Sequence, residues 1–174
     1  MRLYILRVGE TNSSKDNLIE GITNEDLNEV GKEQMEAIKY ALDDIKIDCI
    51  YSSKLKRAVT TADIIKKDEQ VIFDDRLNER DAKGFANLPK TSIDYDDWWN
   101  YFPKREYNTE TLSSLYKRTI EFIEEVKKTS YNDVLIITHN GVIACLNMYF
   151  KGMPDDYRIS KYLVENAKIV YYEI

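Results

Sequence analysis

The sequence predicts an α/β fold of three layers, a mostly parallel sheet of about five or six strands with helices on both faces. Two observations carry this expectation. Short apolar runs, too brief for helices, alternate along the chain with segments whose apolar residues recur at helical spacing. The stretch between consecutive runs is also long enough for the crossover that parallel neighbours need. The chain has 174 residues, of which 43% are hydrophobic and 32% charged, the size and balance of one globular unit.

The first apolar run, residues 3–6, is ended by Arg7 and Gly9 and reads as a buried strand. Residues 12–26 are polar, after which Asn28 can cap a helix carrying Met35, Ile38, Leu42 and Ile45 on one face. Residues 47–51 read as a second strand, and Ser53 can cap a second helix through Leu55, Ala58, Val59, Ala62 and Ile65. Residues 71–73 form a third short strand. A long irregular stretch, about residues 74–109, follows and holds Pro89 and Pro103. Leu112, Leu115, Thr119, Ile123 and Val126 mark a long amphipathic helix. Residues 134–137 are a strand running into Thr138-His139-Asn140-Gly141, and residues 142–150 are an almost wholly apolar helix. Residues 169–172, aromatic and β-branched, close the chain as a last strand. The expected organisation is a single domain, 1–174, with a lid-like insertion at about 80–109.

Charge excludes some classes of partner. With 25 Lys and Arg against 31 Asp and Glu, the net charge of -6 has the wrong sign for broad attraction to nucleic acid. No apolar run reaches the 18 or so residues of a membrane span. The start, Met1-Arg2-Leu3-Tyr4, runs into a strand without a leader-like segment. Cys49 and Cys145 sit in apolar runs without CxxC spacing, and there is a single histidine. They are read as reduced core residues, with no metal or other cofactor implied. A cytoplasmic protein is expected.

In an open parallel sheet the ligand site lies beyond the carboxyl ends of the strands. After the first strand come Arg7, Val8, Gly9, Glu10 and Thr11; after the second, Ser52, Ser53 and Arg57; after the third, Glu79; after the fourth, Thr138 and His139. Two guanidinium forks, an imidazole and a helix N-terminus converging on one spot would hold an anion within an acidic chain. Each charge-assisted bond contributes roughly 1.5–3 kcal/mol.

These residues resemble the motifs of the histidine phosphatase superfamily, which includes cofactor-dependent phosphoglycerate mutases. Leu6-Arg7-Val8-Gly9-Glu10-Thr11 is similar to the Arg-His-Gly-Glu-Thr signature. Leu27-Asn28-Glu29-Val30-Gly31 with Gln34 resembles the helix opening that follows it. The run from Tyr51 to Ala58, with Thr61-Ala62, is similar to the second arginine motif. Leu77-Asn78-Glu79 resembles the acid motif. Glu110-Thr111 and Arg118 fit the helix before the last motif, and the run from Ile137 to Ile143 resembles the second-histidine motif. The likeness spans nearly the whole chain and implies a phosphoglycerate mutase-like fold. It also implies a phosphorylated small molecule or phosphate as ligand, with Arg7, Arg57 and His139 gripping the phosphoryl group and Glu79 acting as acid and base. Where the family often carries a tryptophan and an asparagine shortly after the signature, this chain has Ser13 and Ser14, and Ser14 joins the expected phosphate-binding set.

One departure decides the functional expectation. The resemblance assigns the nucleophile, which would form a phosphohistidine, to the first-motif histidine, and that position is Val8. A valine has no lone pair to attack with, and no other histidine exists apart from His139. Phosphate monoester hydrolysis is among the slowest uncatalysed reactions, so an electrostatic grip alone leaves little or no turnover. The expected function is phosphate or phosphomonoester binding by a degenerate family member. Two alternatives stand beside it: an active phosphatase or mutase using another nucleophile or direct water attack, and a non-catalytic protein-interaction domain.

Plainer readings exist for each residue. Val8 alone is a core residue completing the first strand. Arg57, beside Lys54 and Lys56, alone reads as part of a solvated helix face. The aromatic residues Tyr95, Trp98, Trp99, Tyr101, Phe102 and Tyr107 read as packing beneath a long loop rather than as a ligand-selecting lid.

Overall fold

The computed structural model describes residues 1–174. Five strands form one sheet: β1 (Arg2–Arg7), β2 (Cys49–Ser52), β3 (Val71–Phe73), β4 (Asp133–Thr138) and β5 (Ile169–Glu173), in the order β3-β2-β4-β1-β5. All neighbours are parallel except β1 and β5. The helices are α1 (Asn12–Lys15), α2 (Glu29–Ala41), α3 (Lys56–Ile65), α4 (Tyr95–Trp98), α5 (Leu112–Val126) and α6 (Asn140–Lys151). The α/β, three-layer expectation is met, with the last strand pairing antiparallel at an edge.

Strand alternation divides the core into the two halves that helices on both faces require. Leu3 and Ile5 of β1, Cys49 and Tyr51 of β2, and Val134 and Ile136 of β4 point into one apolar cluster with α5 and α6. Their alternates, Leu6, Ile50, Leu135 and Ile137, join Met35 and Leu42 with Ala58, Ala62 and Ile65 of α3 in the other. The six residues of β4 are all buried, as a central parallel strand covered on both faces must be. Each fully buried Leu, Ile or Phe here contributes roughly 1.5–3 kcal/mol. Both cysteines are buried and free. No helix is long and apolar enough to cross a membrane.

Several boundaries differ from the sequence expectation, each for a local reason. The second strand begins at Cys49 rather than 47, and α2 ends at Ala41, so Ile45 lies beyond it in the turn after Leu42. Polar residues 12–26 contain α1, where Thr11 and Ser14 close a capping box. Ser53 does not cap α3. The N-cap is Leu55, without a side-chain bond, because Ser53 still follows the sheet, its N–H donating to Ile137 O at 3.0 Å. The irregular stretch holds three single 3₁₀ turns, Asp75–Leu77, Lys83–Phe85 and Lys90–Ser92, besides α4. Trp98 and Trp99 are buried in the α5/α6 cluster, so part of the aromatic stretch packs in the main core.

The loop after β1 is fixed by backbone packing. Gly9 and Gly31 meet face to face: a Cβ on Gly31 would lie 2.1 Å from Glu10 O, and one on Gly9 would lie 2.5 Å from Gly31 O. Asn28 adds two bonds to Glu10, from its N–H to the carbonyl at 3.0 Å and from Nδ2 to Oε1 at 2.8 Å. Gln34 Oε1 accepts from Glu10 N–H at 2.9 Å. The signature loop and the start of α2 therefore form one rigid unit, which sets where Arg7 and Val8 stand.

Candidate functional site

The carboxyl ends of β1, β4 and β2 lie side by side, with Arg7 opposite Thr138 and Ser52 opposite Ile137. One residue further along stand Val8, His139 and Ser53. Val8 N–H donates to Thr138 O at 3.1 Å, and its carbonyl accepts from Ala167 N–H at 3.2 Å and Asn166 Nδ2 at 3.3 Å. Its backbone is thus held between the end of β4 and the loop before β5. Its side chain, 3% exposed, belongs to the α2/α3 cluster with Leu6, Leu27 and Met35.

Arg57 and His139 are in contact, as their convergence at the strand ends required. Arg57 Nε donates to His139 Nδ1 at 3.2 Å, and its two terminal nitrogens donate to Thr23 O at 2.8 Å and Gly21 O at 2.7 Å. A guanidinium always carries its protons, so Nδ1 is bare and the ring proton sits on Nε2. That nitrogen, 2.8 Å from Ser53 Oγ, donates to the hydroxyl, which in turn donates to Asn78 Oδ1 at 2.8 Å. The result is a directed chain of hydrogen bonds in which every buried polar group has a partner.

Burial and the nearby Arg57, Arg7 and Arg118 charges hold His139 well below the usual histidine range, so the ring is neutral. This has a measurable consequence. Because the folded value is depressed, the unfolded chain binds more protons below the ordinary value of 6.5. The stabilising contribution is therefore complete above that pH and is lost as pH falls. The expected loss approaches about 1.4 kcal/mol per pH unit between about pH 6.5 and 5. With a single histidine in the chain, His139→Gln removes this slope. Denaturant titrations at several pH values check it; equal slopes in both proteins would contradict the neutral, buried ring.

Glu79 sits at the N-terminus of α6. Gly141 N–H donates to its two oxygens at 3.1 and 3.2 Å, and Arg80 N–H to Oε1 at 2.8 Å. The helix dipole favours a carboxylate there. Gly141 is required for this approach, since a Cβ at that position would lie 2.4 Å from Glu79 Oε1. Behind Glu79, the fork of Arg118 grips both oxygens of Glu110 at 2.7 and 2.9 Å and also donates to Glu79 O at 3.1 Å and Arg76 O at 2.6 Å. Glu110 and Arg118 thus act as a brace for the acid motif.

A cavity opens beside these groups, walled by Arg7, Glu20, Glu79, Lys90, Tyr95 and Asn140 on its polar side. Arg7 donates one bond, to Val164 O, and its remaining N–H groups are free for a ligand. Burial lowers its pKa from the usual arginine value. Burial likewise lowers that of Lys90, which has no carboxylate within salt-bridge reach among the ion pairs of the chain. Trp98 and Trp99 complete the wall, and Trp99 Nε1 is buried without a partner.

The other expected residues lie away from the cavity wall. Arg57 and His139 are not presented in the wall; they are 1% and 2% exposed and lie beneath it, bound to each other and to backbone carbonyls. The first N–H groups of α6 include Gly141 N–H, which is given to Glu79. Ser14 is not at the cavity: its hydroxyl accepts from Thr11 N–H at 2.9 Å and donates to Thr11 O at 3.1 Å within the capping box. Sequence reasoning also missed Glu20 and Lys90, which carry no local signal, and gave Asn140 no role although it lies in the second-histidine motif. It further missed Arg80, whose guanidinium stacks 4.2 Å from Trp98 and whose pKa burial pulls down to about 10.

Comparison with known proteins agrees with this frame. The family model described as histidine phosphatase superfamily (branch 1) matches residues 3–174, and the chain belongs to that superfamily. It is 30% identical over 151 residues to phosphoserine phosphatase 1 of Hydrogenobacter thermophilus, covering 82% of this chain and 72% of the relative. It is 27% identical over 166 residues to the adenosylcobalamin/alpha-ribazole phosphatase of Escherichia coli K12, covering 88% and 81%. The solved alpha-ribazole phosphatase of Shigella flexneri superposes with a TM-score of 0.85 at 27% identity, over 100% of this chain and 91% of that one.

Proposed function

We propose that this chain binds a phosphomonoester or inorganic phosphate in the cavity beside Arg7 and turns it over little or not at all, because Val8 occupies the nucleophile position. The observation that carries the reading is Val8 itself, buried in an apolar cluster one residue beyond an arginine whose fork lines the cavity. Arg7 supplies the principal grip. Arg57 and His139 support it from beneath: Arg57 keeps two of its five N–H groups unused, whereas His139 donates to a ligand only by releasing its bond to Ser53. In this reading Glu79, held at the α6 N-terminus, takes the position of the acid and base of the family's chemistry. Relatives named as phosphatases of phosphoserine and of an alpha-ribazole compound support a phosphorylated small molecule as ligand.

The 174 residues act in this reading as one domain, with about 80–109 as an insertion whose Lys90, Tyr95 and Trp99 close one side of the cavity. A cytoplasmic setting fits the two reduced cysteines. The test is calorimetric titration with inorganic phosphate alongside an assay for phosphate release from a generic phosphomonoester. Saturable binding without product above the uncatalysed control is expected. Product at ordinary enzyme rates, on the order of 1–10³ per second, would overturn the reading.

A further inference from the structure

We propose that Glu20 is an internal counter-ion of the anion site, a specificity-determining residue that competes with the ligand for the arginines and sets the cavity's affinity for phosphate. The inference rests on the phosphate-binding reading and goes beyond it. Glu20 comes from the loop after α1, lines the cavity together with Arg7, and has a side chain only 17% exposed. Its Oε1 accepts from Thr11 Oγ1 at 2.6 Å and lies 3.9 Å from Arg57 Nε. A carboxylate in that place presents to the guanidinium groups the same charge as a phosphate oxygen.

The remaining charges make the effect consequential. Arg57 already spends three of its five N–H groups on Gly21, Thr23 and His139, and Glu79 faces the same cavity. The Glu20 and Glu79 carboxylates offset Arg7 and Arg57, leaving Lys90 and Arg80 as the cations of the wall outside any ion pair. An incoming dianion must overcome repulsion from Glu20 at close range, where low effective dielectric makes such interactions strong. Thr11, whose hydroxyl fixes the carboxylate, is itself 0% exposed and caps α1, so Glu20 cannot simply swing away without leaving that buried hydroxyl short of a partner.

The experiment is calorimetric titration of inorganic phosphate into the full chain and into Glu20→Gln, with Glu20→Ala as a second variant should the amide perturb folding. Glu36→Gln, an exposed site on α2, controls for net charge. Thermal denaturation establishes that each variant is folded. The expected result is phosphate affinity raised at least tenfold by Glu20→Gln or Glu20→Ala and unchanged by Glu36→Gln. Measurable binding only in the Glu20 variants supports the proposal equally. Binding by the unaltered chain that stays the same or weakens in both Glu20 variants overturns the role of Glu20 while leaving the phosphate reading intact. An equal gain in Glu36→Gln reduces the effect to overall charge and also overturns it. Absence of binding in every folded form overturns both.

Discussion

The Val8→His variant releases phosphate from a generic phosphomonoester roughly 10³-fold or more faster than the valine form. Removing a covalent nucleophile typically costs about 10⁶ in rate, and restoring one in a site shaped around another residue recovers part of that. The surrounding parts are present: Arg7 in the cavity wall, the Arg57–His139 pair beneath it, and Glu79 at the α6 N-terminus. The backbone at position 8 is fixed by Thr138, Asn166 and Ala167. An imidazole, larger and more polar than valine, is disfavoured in the apolar cluster that holds Val8 with Leu6 and Met35, and is expected to turn towards the polar strand ends. Some stability is lost, about 1–3 kcal/mol for overpacking and imperfect hydrogen bonding. Phosphate release over time, with both proteins at equal folded concentration, measures the effect. Equal rates would mean that a missing nucleophile is not what limits this chain.

Arg57→Ala is expected to be the most destabilising change in the site. The side chain is 1% exposed and is the largest fully buried one in the chain. Its removal leaves Gly21 O, Thr23 O and His139 Nδ1 without donors, and Glu20 without its nearest cation. Breaking a buried charge network by deleting one partner costs about 3–5 kcal/mol. For a chain of this size that lowers the melting temperature by roughly 6–20 °C. Arg57→Lys rescues little, because a single ammonium cannot reach three acceptors held by a planar fork. Thermal denaturation tests this, and a shift within about 2 °C for Arg57→Ala would contradict the bonding pattern. Phosphate affinity falls in the same variant, since the site loses a guanidinium charge and Glu20 is left without its nearest cation.

The sheet was legible because its signal is local. Leu3 to Leu6, Val134 to Ile137 and the apolar face of α5 each declare period and burial within a few residues. Only the antiparallel pairing of β5 and the exact ends were hidden, since edge pairing depends on what lies beside the strand rather than on its own pattern. The site was legible in its parts and not in its directions. The sequence brought Arg57 to the strand ends, yet Lys54 and Lys56 made it look like part of a solvated face. It turns inward because two carbonyls of the loop at Gly21 and Thr23, more than thirty positions away, await a donor. Ser53 carried the mark of a helix cap, and its hydroxyl instead continues the chain from His139. Ser14 looked available to a ligand, but Thr11 three residues earlier claims it. Glu20 and Lys90 had no pattern at all. They come together only because the loop after α1 and the segment around Lys90 line the same cavity, a long-range fact that no local period encodes.

Calorimetric titration of inorganic phosphate into the chain and into Arg7→Ala addresses the anion site itself. Arg7 lines the cavity and its guanidinium donates a single bond, to Val164 O, leaving most of its N–H groups to spare. Saturable binding is expected for the unaltered chain, with at least a tenfold loss in a folded Arg7→Ala variant, the equivalent of one or more charge-assisted bonds at about 1.5–3 kcal/mol each. Binding that survives the loss of Arg7 unchanged, or no binding by the unaltered chain and its Glu20→Gln variant alike, would contradict the account.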